Sequence, residues 1–372
     1  MDPESKLVLK SQKTKMDWLL VAATGALVSA GLVAIYDASV VSAFRDFSDR
    51  FYYLKNQLAW AAVGSVALIL LSFFDYHKIL KLAPIIFLLS LILLSAVLVP
   101  FIGTEILGAR RWINIAGFSF QPSEFAKLTT IFYSTYMMAK FEKHKIPIFD
   151  SLLVYFLPVF LPAILVIFQP DLGTALIFVA LALAVYFVGN GPLWHFLVFI
   201  PPILAATIGA IMLEPYRFER VKSFIDPSYD PQGASYQISQ IIIALASGGL
   251  LGVGLGGARS KFEFIPEVHN DAIFAVIVEE LGFLGALVLI SLFLFLIART
   301  INVAKLAKDY EGRLLAIALT SLIAIQILFN LASIVALVPL TGIPLPFISY
   351  GGSSLFVTLA AIGILLNIRR QS

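Results

Sequence analysis

The chain has 372 residues, 60% of them hydrophobic and 13% charged, where a soluble domain carries roughly 45–50% and about 25%. This composition excludes an ordinary globular protein and points to a polytopic membrane protein. A surplus of only three among 26 Lys and Arg and 23 Asp and Glu is too small and too dispersed to be a nucleic-acid footprint, so DNA and RNA are excluded as partners. Without cysteine there is no disulfide or thiolate centre, and four scattered histidines argue against a zinc cluster.

In chain order, a polar tail with Lys6, Lys10, Lys13 and Lys15 precedes an apolar run from Trp18 to about Tyr36. That run exceeds a signal-peptide core of about 7–15 residues and lacks a convincing cleavage site, which makes it an uncleaved first helix. Further apolar runs lie near 57–74, 80–100, 122–140, 151–168, 172–189, 194–213, 274–298, 313–336 and 350–368. The expected fold is therefore all-α, a transmembrane bundle of about ten helices. Neither a short repeat nor a composition break marks a second domain, so residues 1–372 are read as one membrane domain.

Basic residues in short connections stay cytoplasmic. Lys78, Lys81, Lys140, Lys143, Lys145, Arg299, Lys305, Lys308, Arg313, Arg369 and Arg370 fall with the N-terminal lysines in one alternate set of connections. Arg45, Arg50, Lys55, Arg110 and Arg111 fall in the other. Both termini, including a tail over 1–16, are thus expected in the cytoplasm, and the long 214–273 connection outside it.

Five stretches stand out, and the ten-span reading brings them all to outer loops or adjoining helix ends. In the first, Arg110 and Arg111 are either surface anchors or anion contacts, while Glu124 and Lys127 share one helix face. This pair is either a simple ion pair or a substrate-positioning element, since ionisable groups within spans usually mark function. In the second, Asp171 after Gln169-Pro170 is either a helix cap or a substrate contact. In the third, Arg217, Arg220 and Lys222 either meet lipid headgroups or wrap a pyrophosphate through charge-assisted hydrogen bonds. The Asp226-Pro227 and Asp230-Pro231 turns favour the second use by folding the segment back towards the membrane.

Between the third and fourth stretches, the glycines from Gly248 to Gly257 formally contain a dinucleotide fingerprint, but no βαβ unit surrounds them. Close backbone packing in a re-entrant or interfacial turn explains them better. The fourth stretch runs from Lys261 through Pro266, Glu267 and His269 to Asp271, where an apolar helix begins. Asp271 is either a helix cap or a general base at the lip of a low-dielectric bundle. Glu279 and Glu280, two turns further in, read as buried network members. The fifth stretch runs from Pro339 to Ser354 and includes Ser349 and Ser353.

Arg110-Arg111-Trp112-Ile113 with Gln121-Pro122-Ser123-Glu124, Phe224-Ile225-Asp226-Pro227, Pro266-Glu267-Val268-His269-Asn270-Asp271, Glu279-Glu280-Leu281-Gly282 and the whole 339–354 stretch resemble the SEDS family of bacterial shape, division and sporulation proteins. The resemblance covers about 17–367 and leans to the FtsW and SpoVE branch rather than RodA. It implies a peptidoglycan glycosyltransferase, inverting and using a lipid-pyrophosphate donor. Such an enzyme polymerises lipid II into a nascent glycan strand outside the bacterial cytoplasmic membrane. The implied partners are a class B penicillin-binding protein and other membrane proteins of the division or elongation machinery.

The family's essential acidic residue maps onto Asp271, although Asn270 and Ala272 stand where the family usually has Thr and Phe. Arg110, Arg111, Glu124, Lys127, Asp171, Arg217, Arg220, Lys222, Lys261, Glu267, His269, Ser349 and Ser353 are the candidate substrate contacts. No cofactor is assigned. A divalent cation, Mg²⁺ or Mn²⁺, is compatible with the chemistry, but no carboxylate cluster supplies its site. The rival classes are a lipid II flippase, which would explain Glu124, Lys127, Asp171, Gln326 and Asn330 in or near spans, and a non-catalytic division scaffold.

Overall fold

A computed structural model describes residues 16–106, 108–115, 118–144, 148–226, 229, 233–265 and 268–372. The N-terminal lysines, Lys145, Pro227, Asp230, Pro231, Pro266 and Glu267, all invoked above, lie outside the described residues. Helices α1 (Trp18–Phe47), α2 (Tyr52–Phe73), α3 (Tyr76–Ala96), α4 (Pro122–His144), α5 (Ile148–Ile167), α6 (Leu172–Val188), α7 (Trp194–Met212), α10 (Ile273–Leu306), α11 (Tyr310–Ile334) and α12 (Gly352–Gln371) correspond one to one with the ten apolar runs. Seven of them, α1, α2, α3, α7, α10, α11 and α12, are long and apolar enough to cross a membrane. The chain is a multi-pass membrane protein. α4 is more polar because it carries Glu124, Lys127, Lys140, Glu142 and Lys143, and α6 is shorter at 17 residues.

Local chemistry sets the helix ends. Asp17 accepts from the Leu20 N–H at the start of α1, Asp75 from the His77 N–H at the start of α3, and Asp171 from the Thr174 N–H at the start of α6. Each satisfies a donor that the first turn leaves unpaired. α12 is the most enclosed helix, with every residue from Gly352 to Ile368 except Phe356 buried. It lies along α2, where Gly363 lets its backbone approach the Leu68 carbonyl. α7 is the opposite case: only His195 of its residues is buried.

Two features exceed the all-helical expectation. The α3–α4 connection forms a small antiparallel sheet, β1 (Thr104–Ile106), β2 (Ala109–Ile115) and β3 (Phe118–Phe120), in the order β1-β2-β3 with Glu105 opposite Arg110 and Ile113 opposite Phe120. The 214–273 connection is also built of helices, α8 (Pro215–Ile225) and α9 (Ala234–Ser247), followed by the glycine run and a π-helical turn at Ser260–Phe264.

The glycine run does pack backbone to backbone. α10 breaks at Gly282, with φ 68° and ψ −168°, a conformation open to glycine alone without strain. The break releases backbone groups from the helical ladder, and the glycine run takes them up. Phe283 and Leu284 N–H donate to the Gly249 and Leu250 carbonyls (2.9 and 3.2 Å), while Val253 and Gly254 N–H donate to those of Glu279 and Glu280 (3.0 and 3.1 Å). With a rise of 1.5 Å per residue, these pairings lie roughly 10–15 Å along α10 from its start. At that depth unpaired backbone would be costly. Leu250, Leu251 and Leu255 stay exposed on the outer side of the turn.

Candidate functional site

The site is assembled by the segment between α11 and α12, residues 335–351, which with the first turn of α12 touches each of the other stretches in turn. Its chain is pinned by its own side chains and by α2. The Leu345 N–H donates to Ser349 Oγ (2.8 Å). Gln57 on α2 donates to the Ser349 carbonyl and accepts from the Gly351 N–H (3.4 and 3.2 Å). Ser353, in the first turn of α12, accepts from the Gln121 N–H (3.0 Å), which fixes the start of α4 against it. Ser349 and Ser353 thus shape the backbone.

Asp271 sits directly before Ala272, the N-cap of α10. Asn330, buried on α11, donates from Nδ2 to both the Asp271 and the Ile343 carbonyls at 2.8 Å each. One amide thereby clamps the aspartate's peptide to the 335–351 segment. Gly342 has φ 70°, and a Cβ placed on it would lie 4.0 Å from Asp271 Oδ2, so the carboxylate faces this glycine. The Asp271 side chain is partly exposed.

His269 is buried two residues earlier. Its carbonyl accepts from the Tyr350 N–H (2.9 Å), and its ring packs against those of Tyr53 (4.2 Å) and Tyr350 (5.6 Å). Burial pushes its pKa down to about 4 because the cationic form would lose its hydration. A neutral imidazole between aromatic rings holds the Asp271 loop rather than countering a phosphate charge.

The candidate cations divide by what they touch. Arg217, buried on α8, donates to the Ala210 carbonyl at the end of α7 (2.9 Å) and the Ile167 carbonyl at the end of α5 (3.0 Å), and so closes two helix C-termini. Arg220 lies one turn further along. It donates to the Leu340 carbonyl at 3.1 Å and stacks over Tyr216. Lys222, on the same helix, is exposed, with its ammonium 3.5 Å from the centre of the Tyr229 ring. Summing the 3.1 Å bond, the Leu340-to-Gly342 backbone and the 4.0 Å contact puts Arg220 at most about 20 Å from the Asp271 carboxylate.

The remaining candidates are paired. Arg111 donates to the Gln169 carbonyl (2.9 Å) and the Pro170 carbonyl, with Asp171 3.7 Å away. It holds the turn in which Asp171 caps α6, so the cap reading of Asp171 is the one realised. Close packing of Gly173 on the Thr341 carbonyl then brings the start of α6 to the same segment. Arg110 pairs with Glu105 across the exposed hairpin at 3.0 Å. Lys127 and Glu124 form a buried ion pair at 2.7 Å. Lys261 lies buried between Asp37 and Glu280, 3.0 Å from each. Glu279 accepts from the Arg259 N–H and from Ser260 Oγ (2.9 and 2.5 Å), so Glu279 and Glu280 are the buried network expected of them.

Asn330 and Gln57, which lock the site, were not among the candidate contacts. The signal for Asn330 was present, since with Gln326 it is one of two amides in an otherwise largely apolar span, while Gln57 sits at the edge of its run. Among the described residues, three His, Asp or Glu donors converge in one place, at His77, Asp309 and Glu311. These start α3 and α11, at the end of the bundle opposite Asp271. A divalent cation at Asp271 therefore has no three-donor site among the described residues.

A family model covering FtsW, RodA and SpoVE, described as "Cell cycle protein", matches residues 17–372. The chain belongs to this family. Stage V sporulation protein E of Bacillus subtilis is 39% identical over 369 residues, 98% of this chain and 100% of that protein. "Probable peptidoglycan glycosyltransferase FtsW" of Trichlorobacter lovleyi is 39% identical over 352 residues, 95% and 92% of the two. Among solved structures, a chain of a peptidoglycan synthase complex superimposes with a TM-score of 0.78 at 30% identity, covering 96% of this family member and 98% of that chain. RodA, a rod shape determining protein of Thermus thermophilus, superimposes with a TM-score of 0.66 at 29% identity, covering 96% and 97%.

Proposed function

We propose that this protein is a peptidoglycan glycosyltransferase that polymerises lipid II, with Asp271 as general base. The observation that carries the reading is the convergence of Asp271, Arg220 and the start of α6 on residues 340–343. A partly exposed carboxylate and a cationic helix thus flank one segment at one end of an apolar bundle. Most basic residues of the short connections lie at the other end, which supports placing that end in the cytoplasm and the Asp271 end outside the cytoplasmic membrane.

In the proposed step the Asp271 carboxylate takes the proton of the acceptor GlcNAc 4-hydroxyl. The oxygen attacks C1 of the donor MurNAc from the face opposite the leaving group, and the new C1–O4 bond forms with inversion. The C1–O bond to the lipid pyrophosphate breaks, and the pyrophosphate departs with the electron pair. Because that leaving group already carries its charge, it needs cations rather than a proton donor. In this reading Arg220 and the exposed Lys222 on α8 supply that charge, whereas Arg217, Arg111 and Lys127 act through the fold. A positioned base contributes about 10²–10⁴ in rate.

The protein from the synthase complex gives the precedent for a partner. The reading assigns this chain a class B penicillin-binding protein as transpeptidase partner, together with other division or elongation proteins of the membrane. Reconstitution in vesicles with labelled lipid II and that partner separates the classes. Muramidase-sensitive strands are expected, and movement of lipid II between leaflets without strand formation would contradict the reading.

A further inference from the structure

The bundle end opposite Asp271 carries a side-chain cluster that glycosyl transfer does not use. His77 is the second residue of α3, and Asp309 and Glu311 flank the start of α11. We propose that His77, Asp309 and Glu311 bind a divalent transition-metal ion, best matched by Zn²⁺, that ties α3 to the α10–α11 connection.

One donor atom from each residue lies within 4.8 Å of the other two. His77 Nε2 is 3.1 Å from Asp309 Oδ2. Two ligands of a tetrahedral zinc, each about 2.0–2.1 Å from the metal, stand about 3.3 Å apart. The pair therefore already has the spacing of a tetrahedral edge. Three protein ligands leave a fourth position for water, and the half-buried side chains (38% and 35% exposed for His77 and Asp309) keep that position reachable.

The surroundings are organised as an outer shell. Asp75 Oδ1 lies 2.8 Å from His77 Nδ1, which fixes the ring so that Nε2 faces the cluster. Gln371 donates to the same Asp75 oxygen (3.2 Å). The other Asp309 oxygen accepts from Tyr76 Oη at 2.5 Å, leaving Oδ2 directed at His77. Metal-bound imidazoles generally have such a carboxylate on the second ring nitrogen. With carboxylates facing both nitrogens, a positive charge, either a proton or a metal ion, sits between Nε2 and Asp309. An imidazole donor favours Zn²⁺ over Mg²⁺, which selects all-oxygen sites.

The test uses the full-length protein in nanodiscs with any purification tag removed. Titration calorimetry with Zn²⁺ is expected to give one saturable site per chain that Mg²⁺ does not fill. His77→Ala and Asp309→Asn should abolish it, His144→Ala should retain it, and Asp75→Asn should weaken it about 10–100-fold, the usual effect of losing an outer-shell partner. Glu311→Gln serves in place of any variant that fails to fold, with at least tenfold weaker binding expected. Zn²⁺ binding of equal stoichiometry and affinity in wild type, His77→Ala and Glu311→Gln would overturn the proposal, because a proton alone would then bridge the cluster.

Discussion

Several side chains that look like anion-binding groups spend their charge on the fold. Arg217 closes the ends of α5 and α7 and Arg111 holds the turn before α6, both through backbone carbonyls. In a membrane setting a helix C-terminus has little water to satisfy it, so a guanidinium is a natural partner. Hydrogen bonds to charged groups are worth about 1.5–3 kcal/mol each. Arg217→Met should therefore lower stability by about 3 kcal/mol, read as a drop in the thermal unfolding midpoint. Lys222→Ala, at an exposed position, should leave that midpoint unchanged and raise the KM for lipid II. Breaking the buried Glu124–Lys127 pair from one side, as in Glu124→Gln, should cost about 3–5 kcal/mol by stranding a charge, and the double variant Glu124→Leu/Lys127→Met should recover most of it.

At the scale of elements, two irregular segments do the positioning. The first is the α10 break, where an ideal Cβ on Gly282 would lie 2.5 Å from the Leu250 carbonyl oxygen and collide with the Gly252 nitrogen. Gly282→Ala should destabilise by more than about 2 kcal/mol, since neither the positive φ nor the contact accommodates a methyl group. Midpoint and yield in detergent would report it. The second is the 335–351 segment, which Asn330 joins to Asp271. Removing that amide in Asn330→Ala should cut the polymerisation rate about tenfold or more with little change in KM, because small misplacements of a reacting group are costly.

Across the whole molecule, the ten helices were legible because a bilayer demands long apolar runs, and each run from Trp18 to Asn367 became one helix. The hairpin at 104–120 and helices α8 and α9 were not legible, since their stability comes from packing onto the bundle rather than from a periodicity of their own. The candidate list marked where the site lies, but charge alone could not separate Arg220, beside the reacting segment, from Arg217, turned into helix ends a single turn away. His269 adds a dependence on pH. Burial holds its imidazole neutral down to about 4, whereas an unfolded loop takes up a proton near 6.5. Stability is therefore fully present above about pH 6.5 and falls as the pH drops towards 4, by up to about 3 kcal/mol. Unfolding midpoints across this range should show that slope, and His269→Phe should flatten it.

The most direct measurement is the initial rate of glycan polymerisation from labelled lipid II, comparing the wild-type protein with Asp271→Asn, each in complex with its penicillin-binding partner. The asparagine keeps the shape of the side chain and its place beside Gly342 but cannot accept the hydroxyl proton. A rate lower by about 10²–10⁴, at an unchanged unfolding midpoint, is the predicted result. Strand synthesis within about threefold of wild type would contradict a base at this position.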